Sequence, residues 1–152
     1  MYSSIMGMYW NKDGNAEGMC KGPADMDDFR MKFDSLEEQQ EDPDSIYNYV
    51  KQVIRVRNQN PVIARGTTAY LEQYSGEQCF ALTRSYEGSN LLLLGNTSAE
   101  AVSVDLTGLT VGGTTAEELV LLGELYTGEE TAERAGTVVT LPAYSILILG
   151  EE

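Results

Sequence analysis

Leu141-Pro142-Ala143-Tyr144-Ser145-Ile146-Leu147-Ile148-Leu149-Gly150 decides the fold. Its four consecutive aliphatic residues lie between a proline turn and a glycine, so it reads as the last buried strand of a β-domain. Upstream, further strands are predicted near 67–72, 78–86, 90–95, 101–106, 119–123 and 137–141. Four consecutive leucines at 91–94 imply a central strand covered on both faces. Val102, Val104 and Leu106 alternate with Ser103 and Asp105, so that strand has one wet face. Glu87-Gly88-Ser89 is a tight hairpin connection. Seven or eight short strands at this spacing predict an antiparallel two-sheet sandwich with Greek-key connections over 66–152.

One helix precedes the strands, predicted over about 43–59. Asp42 can cap it, Pro43 suits the first helical position, and Asp44 complements the dipole. Ile46, Tyr49, Val50, Val53, Ile54 and Arg57 share one face. Asn60-Pro61 stops it. That apolar face needs a partner, and a sheet from 66–152 is available. Residues 1–41 lack periodicity and are predicted to be irregular, with turn residues at Asn11, Asp13-Gly14-Asn15, Gly18 and Lys21-Gly22-Pro23. Asp13-Gly14-Asn15-Ala16-Glu17 has a calcium-loop flavour without the full spacing or terminal glutamate. Met6, Met8, Met19, Met26 and Met31 read as loop residues that have lost a packing surface, not a cofactor box.

The formal net charge of −14 is unevenly spread. Residues 1–65 carry eight Lys/Arg against eleven Asp/Glu; residues 66–152 carry only Arg84 and Arg134 against thirteen acids. An acidic β-half repels phosphate backbones and anionic lipid, so neither nucleic acid nor membrane is expected as a partner. No window of 18 apolar residues exists, and Met1–Met8 lacks the basic and apolar regions of a signal peptide. Cys20 and Cys79 read as two free thiols of a reducing compartment.

With no histidine in the chain, Ser/His/Asp and Cys/His catalysis is excluded and a structural zinc site is not expected. No cofactor is implied. Glu117-Glu118 and Glu129-Glu130 are expected in exposed loops as solubilising charge with ordinary pKa values, so no catalytic residue is assigned. Candidate sugar-stacking aromatics are Tyr9 and Trp10, and in the β-half Tyr70, Tyr74, Tyr86 and Tyr126. The turn after Tyr74 could expose that ring. The plain alternative is tyrosines packed at strand ends with wet hydroxyls. Asn96-Thr97-Ser98 matches a glycosylation acceptor and more simply serves as a turn.

The order of motifs resembles the end of the α-amylase (oligo-1,6-glucosidase-like) family. Asp42-Pro43-Asp44-Ser45-Ile46, Tyr47, Tyr49 and Ile54-Arg55-Val56-Arg57 are similar to its last barrel helix. Leu91–Asn96 resembles its Leu-Leu-x-x-Asn strand, and Leu141-Pro142-Ala143-Tyr144-Ser145 its closing strand. Met8-Tyr9-Trp10 resembles its Pro-Met-x-Trp loop, with Gly7 where proline is usual. The resemblance covers roughly 8–150. It implies that 1–65 are the barrel's last loop and helix and that 66–152 are the C-terminal sandwich. The implied role is mainly structural, in a parent that cleaves α-glucosidic bonds with carboxylates lying upstream, so the chain alone is expected to be no enzyme. The implied partner is the catalytic barrel. Tyr9-Trp10 would border its substrate cleft, and weak α-glucan binding through Tyr74 is the alternative. An uncovered helix face would also favour a homodimer.

Overall fold

Ser35 starts the first helix. Its hydroxyl accepts from Glu38 N at 3.3 Å, while Ser35 N donates to Glu38 Oε2 at 2.9 Å. That reciprocal capping box contributes about 1 kcal/mol and opens α1, Leu36–Glu41. The computed structural model describes residues 9–13 and 33–151, divided into two units between Lys51 and Gln52. The calcium-like loop beyond Asp13, the five methionines and Cys20 lie outside the described residues.

In the first unit, α1's unsatisfied amides find the chain at 9–10. Leu36 N donates to Tyr9 O at 2.8 Å and Glu37 N to Trp10 O at 3.0 Å. At the other end, Asn48 Nδ2 donates to the carbonyls of Gln39 and Asp42 at 2.9 and 2.7 Å. The second helix, α2, begins at Ile46 and not at residue 43. Asp42 ends α1 with extended backbone instead of capping α2. Ser45 does the capping: its hydroxyl accepts from Asn48 N at 3.2 Å. A six-residue helix thus precedes the 14-residue α2 where the sequence predicts irregular chain.

In the second unit, α2 runs on to Gln59 and α3 spans Pro61–Arg65, with proline at its first turn. Ten strands follow: β1 Thr67–Tyr70, β2 Cys79–Tyr86, β3 Ser89–Asn96, β4 Val102–Asp105, β5 Thr110–Val111, β6 Thr114–Thr115, β7 Val120–Leu125, β8 Glu133–Ala135, β9 Val138–Leu141 and β10 Ile146–Gly150. One sheet has the order β1-β2-β3-β10-β7, the second β4-β9-β8, and β5 pairs with β6 alone; all pairings are antiparallel. The fold is the expected antiparallel sandwich. The extra strands are two-residue β5 and β6 and the three-residue β8, too short to carry a period. Residues 72–74 turn into a 3₁₀ helix instead of extending β1.

The core between the sheets holds Leu92, Leu94, Leu106, Val139, Leu141, Leu147 and Leu149. Their neighbours on β3 and β10 point the other way, where Leu91 and Ile148 are also buried. On that outer side Val56 of α2 sits over Gly123: a Cβ there would lie 3.0 Å from Val56 Cγ1. Phe80 lies across Gly95 so closely that a Cβ would come within 2.1 Å of its ring. The Glu87-Gly88 turn has both residues at positive φ, 50° and 87°, as a two-residue hairpin requires. No helix among the described residues is long and apolar enough to cross a membrane.

Candidate functional site: aromatic side chains and charge

The tyrosines proposed from sequence as sugar platforms are mostly engaged elsewhere. Tyr74 is half-buried against the core, and its hydroxyl donates to Thr107 O at 3.2 Å. The turn after it does not expose the ring. Tyr86 is half-buried, with the Arg65 guanidinium 6.0 Å from its ring centroid. Tyr126 donates to Glu124 Oε2 at 2.5 Å and accepts from Ala132 N at 3.0 Å. Burial first, and the Glu124 hydrogen bond second, push its hydroxyl up to about 12. Tyr126 therefore ties the 126–132 loop back to β7. Of the four, only Tyr70, on edge strand β1, is largely exposed, at 58%.

Sequence reasoning missed Tyr144. It is 53% exposed and holds φ at +48°, a left-handed conformation unusual for a bulky residue. Its amide donates to Ser98 O. The signal was the Pro142-Ala143-Tyr144-Ser145 turn, because a turn residue just ahead of a buried strand lies at the surface. In the first unit, Trp10 is 56% exposed and Tyr9 half-buried. Both are positioned by their own carbonyls, which cap α1.

The two cations of the β-half serve backbone carbonyls. Arg84 donates to Val62 O at 3.2 Å and Gly66 O at 2.6 Å, tying α3 to β2. Arg134 donates to Leu119 O at 2.6 Å, to Gly136 O at 3.3 Å and to Ala116 O. The surface acids are held by hydroxyls and amides instead. Thr115 holds the Glu118 carboxyl below the usual range through its hydroxyl and then its amide. Thr107, with help from Thr137, does the same for Asp105. For Glu118 this corrects the expected ordinary pKa. The shift favours the ionised form, the opposite of what a proton-donating carboxylic acid needs.

Asn96 is 3% exposed. Its Nδ2 donates to the carbonyls of Glu100, Leu141 and Pro142, and its Oδ1 accepts from Ser98. Asn96 of the Asn96-Thr97-Ser98 acceptor motif is thus a buried corner joining β3 to the turn before β10, with Thr97 exposed beside it. Among the described residues no three metal-ligating side chains cluster.

No protein-family model and no curated protein sequence matches the chain. Solved structures do. Amy13B of Eubacterium rectale is 37% identical with a TM-score of 0.83, and the match covers 97% of this chain and 27% of that one. The chain belongs to the α-amylase family of glycoside hydrolases. An α-amylase from H. orenii, at 23% identity and TM-score 0.65, shares the fold over 95% of this chain and 28% of its own. The trehalulose synthase MutB of Pseudomonas mesoacidophila MX-45 matches 76% of this chain and 19% of its own, at 25% identity and TM-score 0.59. The chain therefore spans about a quarter of the α-amylase-family structures it resembles over most of its length. That is consistent with the C-terminal part of such an enzyme.

Proposed function

We propose that the chain is the non-catalytic C-terminal domain of an α-amylase-like glycoside hydrolase acting on α-glucosidic bonds, and that it stabilises the catalytic barrel. The match to Amy13B carries this reading: nearly the whole chain corresponds to 27% of that structure. The bonding of the tyrosines supports a structural role over a sugar-binding one. Tyr74, Tyr86 and Tyr126 hold loops and elements of the domain itself. In the parent enzyme, residues 1–65 supply the barrel's last loop and helix, and exposed Trp10 with Tyr9 borders the substrate cleft.

A weak α-glucan-binding role is the second reading. Exposed Tyr70 and Tyr144 are the observation that favours it. Two assays of the purified chain separate the readings. Turnover of an α-glucoside should be absent, and native electrophoresis should show equal mobility with and without soluble starch. Turnover would overturn the non-catalytic reading. Retardation by starch that Tyr70→Ala or Tyr144→Ala removes would make the chain a glucan-binding module.

A further inference from the structure

One row of side chains crosses the five-stranded sheet from edge to edge. Tyr70 of β1 stands opposite Leu82 of β2, Leu82 opposite Leu93 of β3, Leu93 opposite Ile148 of β10, and Ile148 opposite Gly123 of β7. Directly paired residues of an antiparallel sheet point to the same face. The row therefore lies on the face where Val56 sits over Gly123. Its cover thins from that end to the other. Ile148 is 2% exposed, Leu93 and Leu82 are half-buried, and Tyr70 is 58% exposed. In the next row Phe80 and Ile146, also half-buried, flank Gly95 on the same face. The outer face of the β4-β9-β8 sheet has the opposite character. There Ser103 and Thr140 bond each other at 2.9 Å, and Asp105 and Glu133 are exposed.

We propose that the catalytic part of the parent enzyme covers the open end of this row, closing over Tyr70. The inference rests on the structural reading above and names the face through which the domain stabilises the barrel. Two observations choose this occupant. The match to Amy13B covers 97% of this chain but 27% of that one, so most of that enzyme has no counterpart here. The sequence of α2 resembles the family's last barrel helix, and its Val56 already lies on this face. A barrel that continues from α2 therefore approaches from this side, while the hydroxyls and carboxylates of the other sheet face water. A sugar fits the row less well, because it needs polar groups to fix its hydroxyls. Tyr70's neighbours in the row are leucines. Arg84, on the same face, is already spent on Val62 O, Gly66 O and Thr68 Oγ1.

The test uses Amy13B with its matching segment replaced by this chain, compared with the same enzyme lacking that segment. The exchanged enzyme should melt higher. Tyr70→Asp would bury an unpaired carboxylate at the contact and should remove most of that gain. In the isolated chain, where Tyr70 is largely exposed, the same change should cost much less. Val138→Asp, on the outer face of the other sheet, should leave the gain intact. Equal melting of the exchanged and truncated enzymes overturns the structural reading and this inference together. A gain that survives Tyr70→Asp, equal losses in enzyme and isolated chain, or a gain removed by Val138→Asp instead overturns the inference alone. Retardation by starch that Tyr70→Ala abolishes, with the melting gain intact, would give the face to glucan and also overturn it.

Discussion

Strand β3 and helix α2 are both rich in aliphatic residues, yet the chain treats them differently. Leu91, Leu92 and Leu94 of β3 are at most 1% exposed, because β2 and β10 flank the strand and apolar side chains cover both of its faces. On α2, Val56 is buried over Gly123 while Ile46, Val50 and Ile54 remain open. The sandwich closes on itself, whereas within the second unit α2 buries Val56 and leaves Ile54 half exposed. A run covered on both faces by its own chain belongs to a self-sufficient domain.

Substitutions can break that contrast, and the largest effect belongs to the strand. Leu92→Ala leaves a cavity in a fully closed site and should cost about 2–5 kcal/mol in urea unfolding. A loss as small as a surface change would mean that the core is not closed around it. Arg84→Met tests the link between α3 and the sheet. It leaves the Val62 and Gly66 carbonyls without their guanidinium partner, a loss of about 1–3 kcal/mol. An unchanged unfolding midpoint would show that α3 does not depend on that clamp.

Tyr126 sharpens the contrast through pH. Its folded pKa is raised, so its contribution is complete below the ordinary tyrosine value and is lost as pH rises towards about 12. The stability difference between the native chain and Tyr126→Phe should therefore shrink between about pH 10 and 12. A difference that grows there would contradict the assigned hydrogen bond. The smallest effect belongs to the open stripe: Ile54→Ser should change monomer stability by no more than about 0.5 kcal/mol. A loss of several kcal/mol would mean that Ile54 is packed.

Much of this contrast was legible in the sequence. The leucines at 91–94 marked a doubly covered strand because a strand with one wet face cannot hold an unbroken apolar run. The alternation at 102–106 gave β4 its wet face for the same reason. The helix period exposed the stripe, because period alone shows which residues align, though not what covers them. Helix α1 was missed although Ser35-Leu36-Glu37-Glu38 is a capping-box pattern; six residues offer too little period to notice. Strands β5, β6 and β8 were missed for similar reasons of length. At the candidate site, sequence could name the tyrosines but not their fates. Tyr74 and Tyr86 find their partners far along the chain, and Tyr126 bonds Ala132 across a loop as well as Glu124 two residues back. Tyr144 was overlooked because its exposure follows from a left-handed turn that residue type argues against.

The most direct test of the structural role exchanges domains. The matching 27% of Eubacterium rectale Amy13B would be replaced by this chain, and the melting midpoint compared with that of the same enzyme lacking the segment altogether. The account predicts that the exchanged enzyme melts well above the truncated one and close to the parent. Equal midpoints for the exchanged and truncated enzymes would contradict it.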